Sequence, residues 1–585
     1  MGCPQYILNF IKSYLTNRRV QISTEHGTVS QSVDRGCPQG SCFGSLFWIT
    51  VANSLFPLFD HLENLWIIAY ADDFLLIAAG RSNVTHRAQL GLDIFVNWAQ
   101  QHKITLSPGK TQALAIGRRS VLRRNPTLKL FNESIHFVSQ FKFLGVIFDN
   151  KLSWLPHFKY LHIRNRILLN SFLEISGSSN WGVPPHFLKL WYKVVTERIF
   201  LYASSIWGAH LTRQKRRILK QLQRPCLLSI TKSYRTASTL ALQTLAETPP
   251  LDLLVEREVL LTRVLRLGFD FSLWGQNYRS IQFVQRPDRD LWAPSEFDVP
   301  KRITLDNTVV PQARYAIFTD GSKFETGVGS ALCVLQNGNV QFTWQCGLHV
   351  QSSVYQAELI ALRKAVRLSK LLLGPIVIFT DSASSLQSLL RIIPLDPLVQ
   401  DIQNLLQALS PADRTWLTWV PAHVGIRGNE LADELAKVAA LSVSLPKMNL
   451  PLPVSSLKRD TWTALMNQWQ MRWDGEVVGR RTFAFIPKVS TALLGSSAYR
   501  TWFLTGHGPF PSFLHRFNLR FSNLFPCGSL GDPDHYAFHC PFTSSFHLHP
   551  PSRGNISHII EILSHNDHAL HRLYNTMQFC AEYFN

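Results

Sequence analysis

The sequence has no apolar run long enough to cross a membrane. The longest candidate, residues 65–79, contains Asp72 and Asp73, whereas a spanning helix needs about 20 consecutive apolar residues. The N-terminus also lacks the basic segment and apolar core of a signal peptide. These absences predict an intracellular protein of the nucleus or the cytoplasm that is neither secreted nor bound to a membrane.

Cysteine and acidic residues are scarce as well. The nine cysteines form no regular framework, which argues against a disulfide-stabilised secreted scaffold and predicts reduced thiols. The 39 Asp and Glu stand against 59 Lys and Arg, a formal net charge of +20. This excess points to a polyanionic partner, with nucleic acid favoured and a basic face exposed to water as the alternative.

The basic excess is uneven along the 585 residues, a length for which several domains are expected. Residues 157–235 hold fourteen basic residues and two acidic ones, whereas residues 314–440 hold ten of each. Any electrostatic attraction of nucleic acid is therefore expected mainly outside residues 314–440.

Residues 316–440 contain four acidic residues in a pattern that favours a metal site. Two apolar runs end in Asp320 and Asp381, which predicts two strands that each present an aspartate at the end. Helical spacing of apolar residues predicts helices that carry Glu358 and Asp433, with His423 in the loop before the second helix. Four unrelated surface acids are the alternative, but the succession of motifs argues against it.

Carboxylates on two strand ends and two helices are the ligands that two divalent ions need. Oxygen ligands suit Mg²⁺, and two ions about 4 Å apart stabilise both the attacking and the leaving oxygen of a phosphodiester. A mobile histidine beside such a site moves protons as the product leaves. The pattern therefore predicts metal-dependent phosphodiester chemistry.

The motifs Thr-Asp-Gly-Ser, Thr-Asp-Ser and His-x-Gly-x-x-Gly-Asn-Glu-x-Ala-Asp follow one another here, and the stretch resembles ribonuclease H. The resemblance implies an α/β domain that hydrolyses RNA in RNA–DNA hybrids with two Mg²⁺ ions, for which Mn²⁺ is a substitute. It implies that His423 is a catalytic loop histidine and that the Asn429 amide binds substrate. The metal ligands that it implies are Asp320, Glu358, Asp381 and Asp433.

Residues 1–155 carry a second series of motifs. Gly-Cys-Pro-Gln-Gly-Ser opens an apolar segment, and Tyr-Ala-Asp-Asp separates two apolar runs, which predicts a hairpin with both aspartates at its tip. Ser-Pro-Gly-Lys and Phe-Leu-Gly-Val follow. The series resembles the reverse transcriptase of non-LTR retrotransposons, of the arthropod jockey-like or R1-like lineages. The resemblance implies metal-binding Asp72 and Asp73, and nucleotide, template or phosphate contacts from Gln39, Gly40, Ser41 and Lys110.

One departure from that family concerns an earlier motif that supplies another catalytic aspartate. The sequence begins after this motif, so the fingers and one metal anchor are expected to be absent. Phosphoryl transfer depends on positioning and charge neutralisation, and the polymerase is therefore expected to be inactive. A truncated element and a gene model that missed an upstream exon explain the departure equally well.

Residues 156–311 are expected to form a basic helical connector. Helical spacing places Arg213, Arg217, Lys220 and Arg224 on one side of a helix, with apolar residues for packing. A thumb-like role that holds the template–primer backbone is one interpretation. A helix that shows its basic face to water is the alternative.

The tail after residue 443 ends in a cysteine and histidine cluster. It resembles the tail of arthropod non-LTR elements, in which a Cys-x-Cys pair precedes the histidine and cysteine, but Phe525 takes the first cysteine position. Cys527, His535 and Cys540 fall short of the four ligands of a structural zinc site, and His539 is adjacent to Cys540. A degraded metal knuckle is expected.

The predicted architecture is a multi-domain chain of α+β and α/β classes. Its four parts are a partial reverse-transcriptase palm (1–155), a thumb-like connector (156–311), a ribonuclease H domain (312–442) and a helical tail (443–585). The expected partners are RNA–DNA hybrid, RNA and DNA, and the expected retained activity is Mg²⁺-dependent hydrolysis of hybrid RNA. The alternatives are an RNA-directed DNA polymerase and a non-catalytic nucleic-acid-binding relic.

Overall fold

The computed structural model describes most of the chain in two compact units, Met1–Tyr160 and Leu161–Asn585. The described residues are 4–25, 27–33, 36, 40–117, 126–176, 183–287, 296–306, 312–409, 414–491, 497–548, 559, 562–563 and 566–584. None of the helices they form is long and apolar enough to cross a membrane. The seven described cysteines are all free thiols.

The first unit combines helices with short two-stranded sheets. Its helices are α1 (Gln5–Leu15), α2 (Cys42–Asn53) and α3 (Val84–Gln101), and α4 (Leu155–Ser176) begins in it; 3-10 turns lie at Phe56–Leu58 and Pro108–Lys110. Its strands are β1 (Arg19–Thr24), β2 (Gly27–Ser32), β3 (Leu65–Tyr70), β4 (Asp73–Ala78), β5 (Gln112–Ala113), β6 (Lys129–Leu130), β7 (Glu133–Ser134), β8 (His136–Phe137), β9 (Gln140–Phe143) and β10 (Val146–Asp149). The pairs β1–β2, β3–β4, β6–β7 and β9–β10 are antiparallel, and β5–β8 is parallel.

The core of the first unit lies between the β3–β4 hairpin and α3. Leu65 and Trp98 are buried, and the Phe74 ring packs edge-on against Trp98 at 6.1 Å between centroids. Along β3 the alternate residues Trp66 and Ile68 are about half exposed, at 50% and 46%. This alternation follows from the two-residue period of a strand, whose successive side chains point to opposite faces.

The second unit begins with a helical layer. Its helices are α5 (Pro185–Trp191), a π-helical turn at Tyr192–Thr196, α6 (Glu197–Leu201), α7 (Ser204–Trp207), α8 (Arg213–Thr231), α9 (Thr239–Leu245) and α10 (Leu251–Leu265). Strands β11 (Phe271–Leu273) and β12 (Gln276–Tyr278) form a hairpin, and 3-10 turns lie at Ser280–Gln282 and Val299–Arg302. The buried Gln223 side chain joins the layer, since it donates to Tyr192 Oη and the Pro249 carbonyl and accepts from Gln243 Nε2.

A seven-stranded mixed sheet follows. Its strands are β13 (Ile303–Thr304), β14 (Tyr315–Lys323), β15 (Val328–Gln336), β16 (Asn339–Leu348), β17 (Ile376–Thr380), β18 (Thr415–Trp419) and β19 (Lys447–Met448), in the order β13-β18-β17-β14-β15-β16-β19. The pairs β14–β15 and β15–β16 are antiparallel, whereas the other four pairs are parallel. This sheet and its helices α11 (Val354–Ser369), α12 (Ala383–Leu389), α13 (Pro397–Gln407) and α14 (Arg427–Leu441) form an α/β layer structure.

Helices α11 and α14 lie on opposite faces of the sheet. Leu359 and Leu362 of α11 pack with Ile317, whereas Ala432 of α14 packs with Phe318, the next residue of β14. Successive residues of a strand point to opposite faces, so the two helices cover both sides. The mixed helix and sheet content of the predicted fold is thereby confirmed.

Two details differ from the sequence expectation. Strand β14 does not end at Asp320 but continues to Lys323, because it stays paired with β15 as far as Val328. In α14 the buried face consists mainly of alanines rather than of Leu431, Leu435 and Val438, the apolar residues whose spacing predicted the helix; Val438 is 56% exposed. Small side chains are buried there because the helix lies close to β15.

The C-terminal part is helical. Its helices are α15 (Val454–Asp474), α16 (Arg480–Phe485), α17 (Ala498–Thr505), α18 (Pro511–Arg516), α19 (Pro533–Phe538) and α20 (Asp567–Phe584), with a 3-10 stretch at Pro541–Phe546. Buried aromatic residues, among them Trp469, Trp473 and Phe503, form its cores. The two compact units divide the chain between Tyr160 and Leu161. The four-part division given by the sequence stays a prediction.

Glu197 of α6 gives the second unit a pH-dependent stability. Burial raises the pKa of its carboxyl from 4.5 to about 6, so the unfolded chain ionises first and stability falls as the pH rises between these two values. At about 1.4 kcal/mol per pKa unit the cost above pH 6 is about 2 kcal/mol. We expect Glu197→Gln to raise the free energy of unfolding by up to that amount at pH 8 and to have little effect at pH 4.5.

Urea unfolding of the two proteins at both pH values measures this difference. The exposed Glu434 supplies the matched control, because Glu434→Gln removes the same charge without relieving burial. An equal effect of Glu197→Gln at both pH values would contradict the prediction.

Candidate active site

The sheet register brings two of the predicted acidic residues side by side. Thr319 of β14 and Thr380 of β17 are register partners on parallel strands, so the residues that follow them, Asp320 and Asp381, emerge at the same edge. Asp320 is 6% exposed. The Asn429 side-chain Nδ2 donates to Asp381 Oδ2 at 3.1 Å, which holds the orientation of that carboxylate.

Helix α11 brings Glu358 to the same place because a glycine lets it approach the strand. A Cβ atom at Gly321 would lie 2.6 Å from the Glu358 backbone nitrogen and 2.8 Å from Ala357 Cβ. The helix begins with a capping box, in which Ser353 and Gln356 satisfy each other's backbone N–H groups. Glu358 therefore enters the site from the second turn of a helix whose start is fixed.

Glycines also set the position of α14. A Cβ atom at Gly428 would overlap the Phe318 ring, and one at Gly329 would overlap the Ala436 carbonyl. This close contact aims Asp433 toward the site, and its negative charge contributes to raising the pKa of Asp320. Its carboxylate is paired with Lys437, whose Nζ lies 2.7 Å from Asp433 Oδ2.

Three of the four predicted metal ligands form a tight group. One carboxylate oxygen from each of Asp320, Glu358 and Asp381 lies within 4.8 Å of the others. Burial, then repulsion by Asp381 and Asp433, raises the pKa of Asp320 to about 7. Burial, then repulsion by Asp320, Asp381 and Asp433, raises the pKa of Glu358 well above its usual range. Asp433 is not a member of this group.

The donor set fits a hard divalent cation. Glu358 is 5% exposed and its Oε2 has no hydrogen-bond partner among the described residues. A buried, unpaired carboxylate oxygen is costly unless a cation compensates it, and carboxylate oxygens are the ligands that Mg²⁺ takes in proteins. The arrangement can hold a divalent cation.

The remaining two predicted residues of this region differ in exposure. His423 is exposed in the loop before α14, with a left-handed φ of 55°. Asn429, predicted as substrate-binding, is 3% exposed and its amide is turned to Asp381. Asn429 thus contacts the acidic group itself.

In the first unit the predicted polymerase residues lie on exposed elements. Asp72 lies in the turn between β3 and β4, and Asp73 is the first residue of β4. Ser41 caps α2 and accepts a hydrogen bond from Tyr14 Oη at 2.6 Å. The exposed residues of this set are Asp72, Asp73, Gly40 and Lys110. Gln39 lies outside the described residues.

The four basic residues predicted on one side of α8 differ in exposure and in contacts. Arg213, Arg217 and Lys220 are exposed, and a cavity of about 520 Å³ lies beside the last two. Arg224 differs, because its guanidinium donates to Thr239 Oγ1 at 2.7 Å and to two backbone carbonyls. The guanidinium of Arg224 is thus held by the loop before α9, and the substrate contact predicted for this residue stays a prediction.

The tail brings its three candidate ligands together. One ligand atom from each of Cys527, His535 and Cys540 lies within 4.8 Å of the others, and Cys527 Sγ lies 3.1 Å from His535 Nε2. Phe525 is 2% exposed and packs edge-on against Tyr536 at 4.7 Å between ring centroids. An aromatic ring thus lies at the position where the sequence resemblance implies a cysteine.

Several residues of the site escape sequence reasoning. Lys437 is one helical turn after Asp433, and this i,i+4 spacing was a usable signal. Trp419 Nε1 donates to the Asp381 carbonyl at 3.1 Å, and Gly321 and Gly428 permit the close helix contacts. The contacts of this tryptophan and these glycines cannot be predicted from the sequence, because they depend on residues far apart along the chain.

Two family models match separate stretches of the chain. The model for reverse transcriptase (RNA-dependent DNA polymerase) matches residues 1–148, and the RNase H model matches residues 312–441. The second match contains the acidic group described above, and the first contains Asp72 and Asp73.

Curated relatives come from insect retrotransposons. A 115 kDa protein in the type-1 retrotransposable element R1DM of Drosophila melanogaster is 29% identical over 299 residues, 49% of this chain and 28% of the relative. A Pol polyprotein from an R1 element of Bradysia coprophila is 27% identical, over 55% of this chain and 33% of the relative. The RNA-directed DNA polymerase from mobile element jockey of Drosophila funebris is 24% identical, over 35% and 23%.

The chain spans about a third or less of the length of these three relatives. The order of the two family matches agrees with the resemblance found in the sequence motifs. Together these similarities identify a pol-type chain related to those of R1 and jockey non-LTR retrotransposons, with a reverse transcriptase region followed by a ribonuclease H region.

Proposed function

We propose that residues 312–442 hydrolyse RNA in RNA–DNA hybrids with Mg²⁺. Two observations carry the proposal: the convergence of Asp320, Glu358 and Asp381, and the buried Glu358 Oε2 that has no hydrogen-bond partner among the described residues. A bound Mg²⁺ supplies the charge that activates a water molecule and stabilises the leaving oxygen. Mn²⁺ is an expected substitute because it accepts the same oxygen ligands.

Other residues of the site have separate tasks in this proposal. Asn429 would hold the orientation of the Asp381 carboxylate through its hydrogen bond. Asp433 is the fourth ligand, available once it separates from Lys437. The exposed His423 carries a proton to or from the departing product, for which an imidazole is suited near neutral pH.

The proposed partners are RNA–DNA hybrid, RNA and DNA. An RNA-containing duplex is recognised by its shape and 2′-OH groups rather than by base sequence. We propose that Arg213, Arg217 and Lys220 of α8 contact phosphates in a thumb-like role, since their exposed charges have no acidic partner within 4.0 Å among the described residues. Such contacts position the backbone without reading its sequence.

For the first unit we propose a palm-like hairpin that presents Asp72 and Asp73 as part of a polymerase site. Among the described residues no third acidic group gathers beside them. Two-ion phosphoryl transfer needs more carboxylate ligands than two. RNA-directed DNA synthesis is therefore the alternative function, to be expected where an upstream segment supplies the further aspartate.

Cleavage of a labelled RNA–DNA hybrid tests the main proposal. We expect the RNA strand to be cut with Mg²⁺ and to stay intact with EDTA. The control substrate is an all-RNA duplex with the same labelled RNA strand. Hybrid binding in EDTA should weaken as salt rises, because phosphate contacts release counterions. Salt-dependent binding with no cleavage in Mg²⁺ would instead support a non-catalytic relic.

A second proposal concerns Cys527, His535 and Cys540, which would bind Zn²⁺ weakly as a three-ligand site. Phe525 O accepts from Gly528 N at 2.8 Å, a tight turn that keeps residue 525 beside Cys527. We expect Phe525→Cys to add a fourth ligand, the third thiolate of the site, and to tighten Zn²⁺ binding at least about tenfold. Competition with a chromogenic chelator measures this affinity.

The neighbouring Phe542 provides the control for this variant. Its ring packs on Phe525 at 5.7 Å between centroids and is 52% exposed, so Phe542→Cys adds a thiol outside the turn. Equal Zn²⁺ affinities for both variants would exclude residue 525 as a ligand position.

A further inference from the structure

Helix α14 carries a lysine one turn after the fourth acidic residue of the site. Lys437 Nζ lies 2.7 Å from Asp433 Oδ2, and the two side chains are 45% and 18% exposed. An i,i+4 spacing places both on one helix face. Asp433 is thereby bound to a cation of the chain itself, while the other three carboxylates converge without it.

Lys437 is close enough to act on the acidic group as well as on its partner. Its positive charge lowers the pKa of Asp320, whereas the charge of Asp433 raises it. Asp433 is thus repelled by the Asp320 carboxylate and attracted by the Lys437 ammonium group. The lysine is nearly half in water, and such an exposed pair is weak enough to open at small cost.

We infer that Lys437 competes with a divalent cation for Asp433, so that the site has two unequal cation positions. Asp320, Glu358 and Asp381 hold the tighter one, and the weaker one requires Asp433 to leave Lys437. The inference rests on the proposed function, because it concerns the ions of the same site. Lys437 would then set the concentration of divalent cation at which the weaker position becomes occupied.

The competition has a measurable size. Removing the ammonium group frees Asp433 from its partner and removes the repulsion between Lys437 and an incoming dication. Since an exposed ion pair is weak, we expect Lys437→Gln to tighten the weaker position by about two- to fivefold. Lys437→Arg should keep the wild-type affinity because the guanidinium retains the pair.

The full chain is titrated with Mn²⁺, and the electron paramagnetic resonance signal of the free ion is monitored. This titration measures the affinity of both positions without any activity measurement. We expect wild type to show a tighter and a weaker class, with only the weaker class changed in Lys437→Gln. Lys301→Gln is the matched control, because Lys301 pairs with Asp298 on the chain outside the acidic group. Circular dichroism verifies that each variant is folded.

The outcomes separate this inference from the function on which it rests. Identical weaker-class affinities in wild type and Lys437→Gln, with a tighter class that Asp381→Asn abolishes, would overturn the inference and leave the proposed function intact. Absence of any bound Mn²⁺ in folded wild type would overturn both. A tightened weaker class in Lys437→Gln, together with an unchanged Lys301→Gln, supports the competition.

Discussion

Asp381→Asn is expected to abolish Mg²⁺-dependent cleavage of RNA in an RNA–DNA hybrid, with a loss of at least about 10³-fold. The substitution removes one anionic ligand at nearly constant volume. A metal ion contributes several kcal/mol of charge stabilisation to the transition state, and each 1.4 kcal/mol is a factor of ten in rate. Gel-resolved cleavage of a labelled hybrid, in Mg²⁺ and in EDTA, measures the loss.

Asp298→Asn is the matched control for this variant. Asp298 is a half-exposed carboxylate of the same unit, paired with Lys301, so its replacement changes the net charge equally without touching the acidic group. We expect its cleavage rate to equal that of wild type. Undiminished cleavage by a folded Asp381→Asn protein would exclude Asp381 as a metal ligand.

Gly321→Ala is expected to damage both stability and cleavage. The added methyl group would lie 2.6 Å from the Glu358 backbone nitrogen, so α11 must move away from β14 and take Glu358 with it. Overpacking of this kind costs about 1–3 kcal/mol of folding free energy, and a displacement of about 1 Å at a catalytic group costs up to about 10²-fold in rate. Urea unfolding and the cleavage assay measure the two effects.

Gly475→Ala separates crowding from the general effect of replacing a glycine. Gly475 follows α15 in the same unit, and the nearest contact of an added Cβ is the Met471 carbonyl at an ordinary 3.5 Å. Neither stability nor cleavage should fall in that variant. A Gly321→Ala protein as stable and as active as the Gly475→Ala protein would show that α11 adapts without displacing Glu358.

Several features of the fold follow from local sequence patterns. Short apolar runs predicted the strand that contains Asp320 and the strand that ends just before Asp381, and helical spacing predicted the helices that carry Glu358 and Asp433. These patterns are readable because strands and helices repeat every two and about 3.6 residues. The motif resemblance to reverse transcriptase and ribonuclease H is confirmed by the family matches, whereas the roles of individual residues stay predictions.

Helix α8 shows what such patterns leave open. Spacing grouped Arg224 with Arg213, Arg217 and Lys220, yet Arg224 is bonded to the loop before α9. Periodicity fixes the face of a helix on which a side chain lies, but not what approaches that face. The same limit applies to Asn429, whose buried amide contacts Asp381.

The sequence by itself determined the types of element, their order and the chemistry of the four carboxylates, because each depends on residues close along the chain. Only the tertiary structure decided that Asp320, Glu358 and Asp381 converge while Asp433 is paired with Lys437. Convergence depends on strand register and on how closely α11 and α14 approach the sheet over Gly321 and Gly428. These are contacts between residues far apart in sequence, and local periodicity carries no information about them.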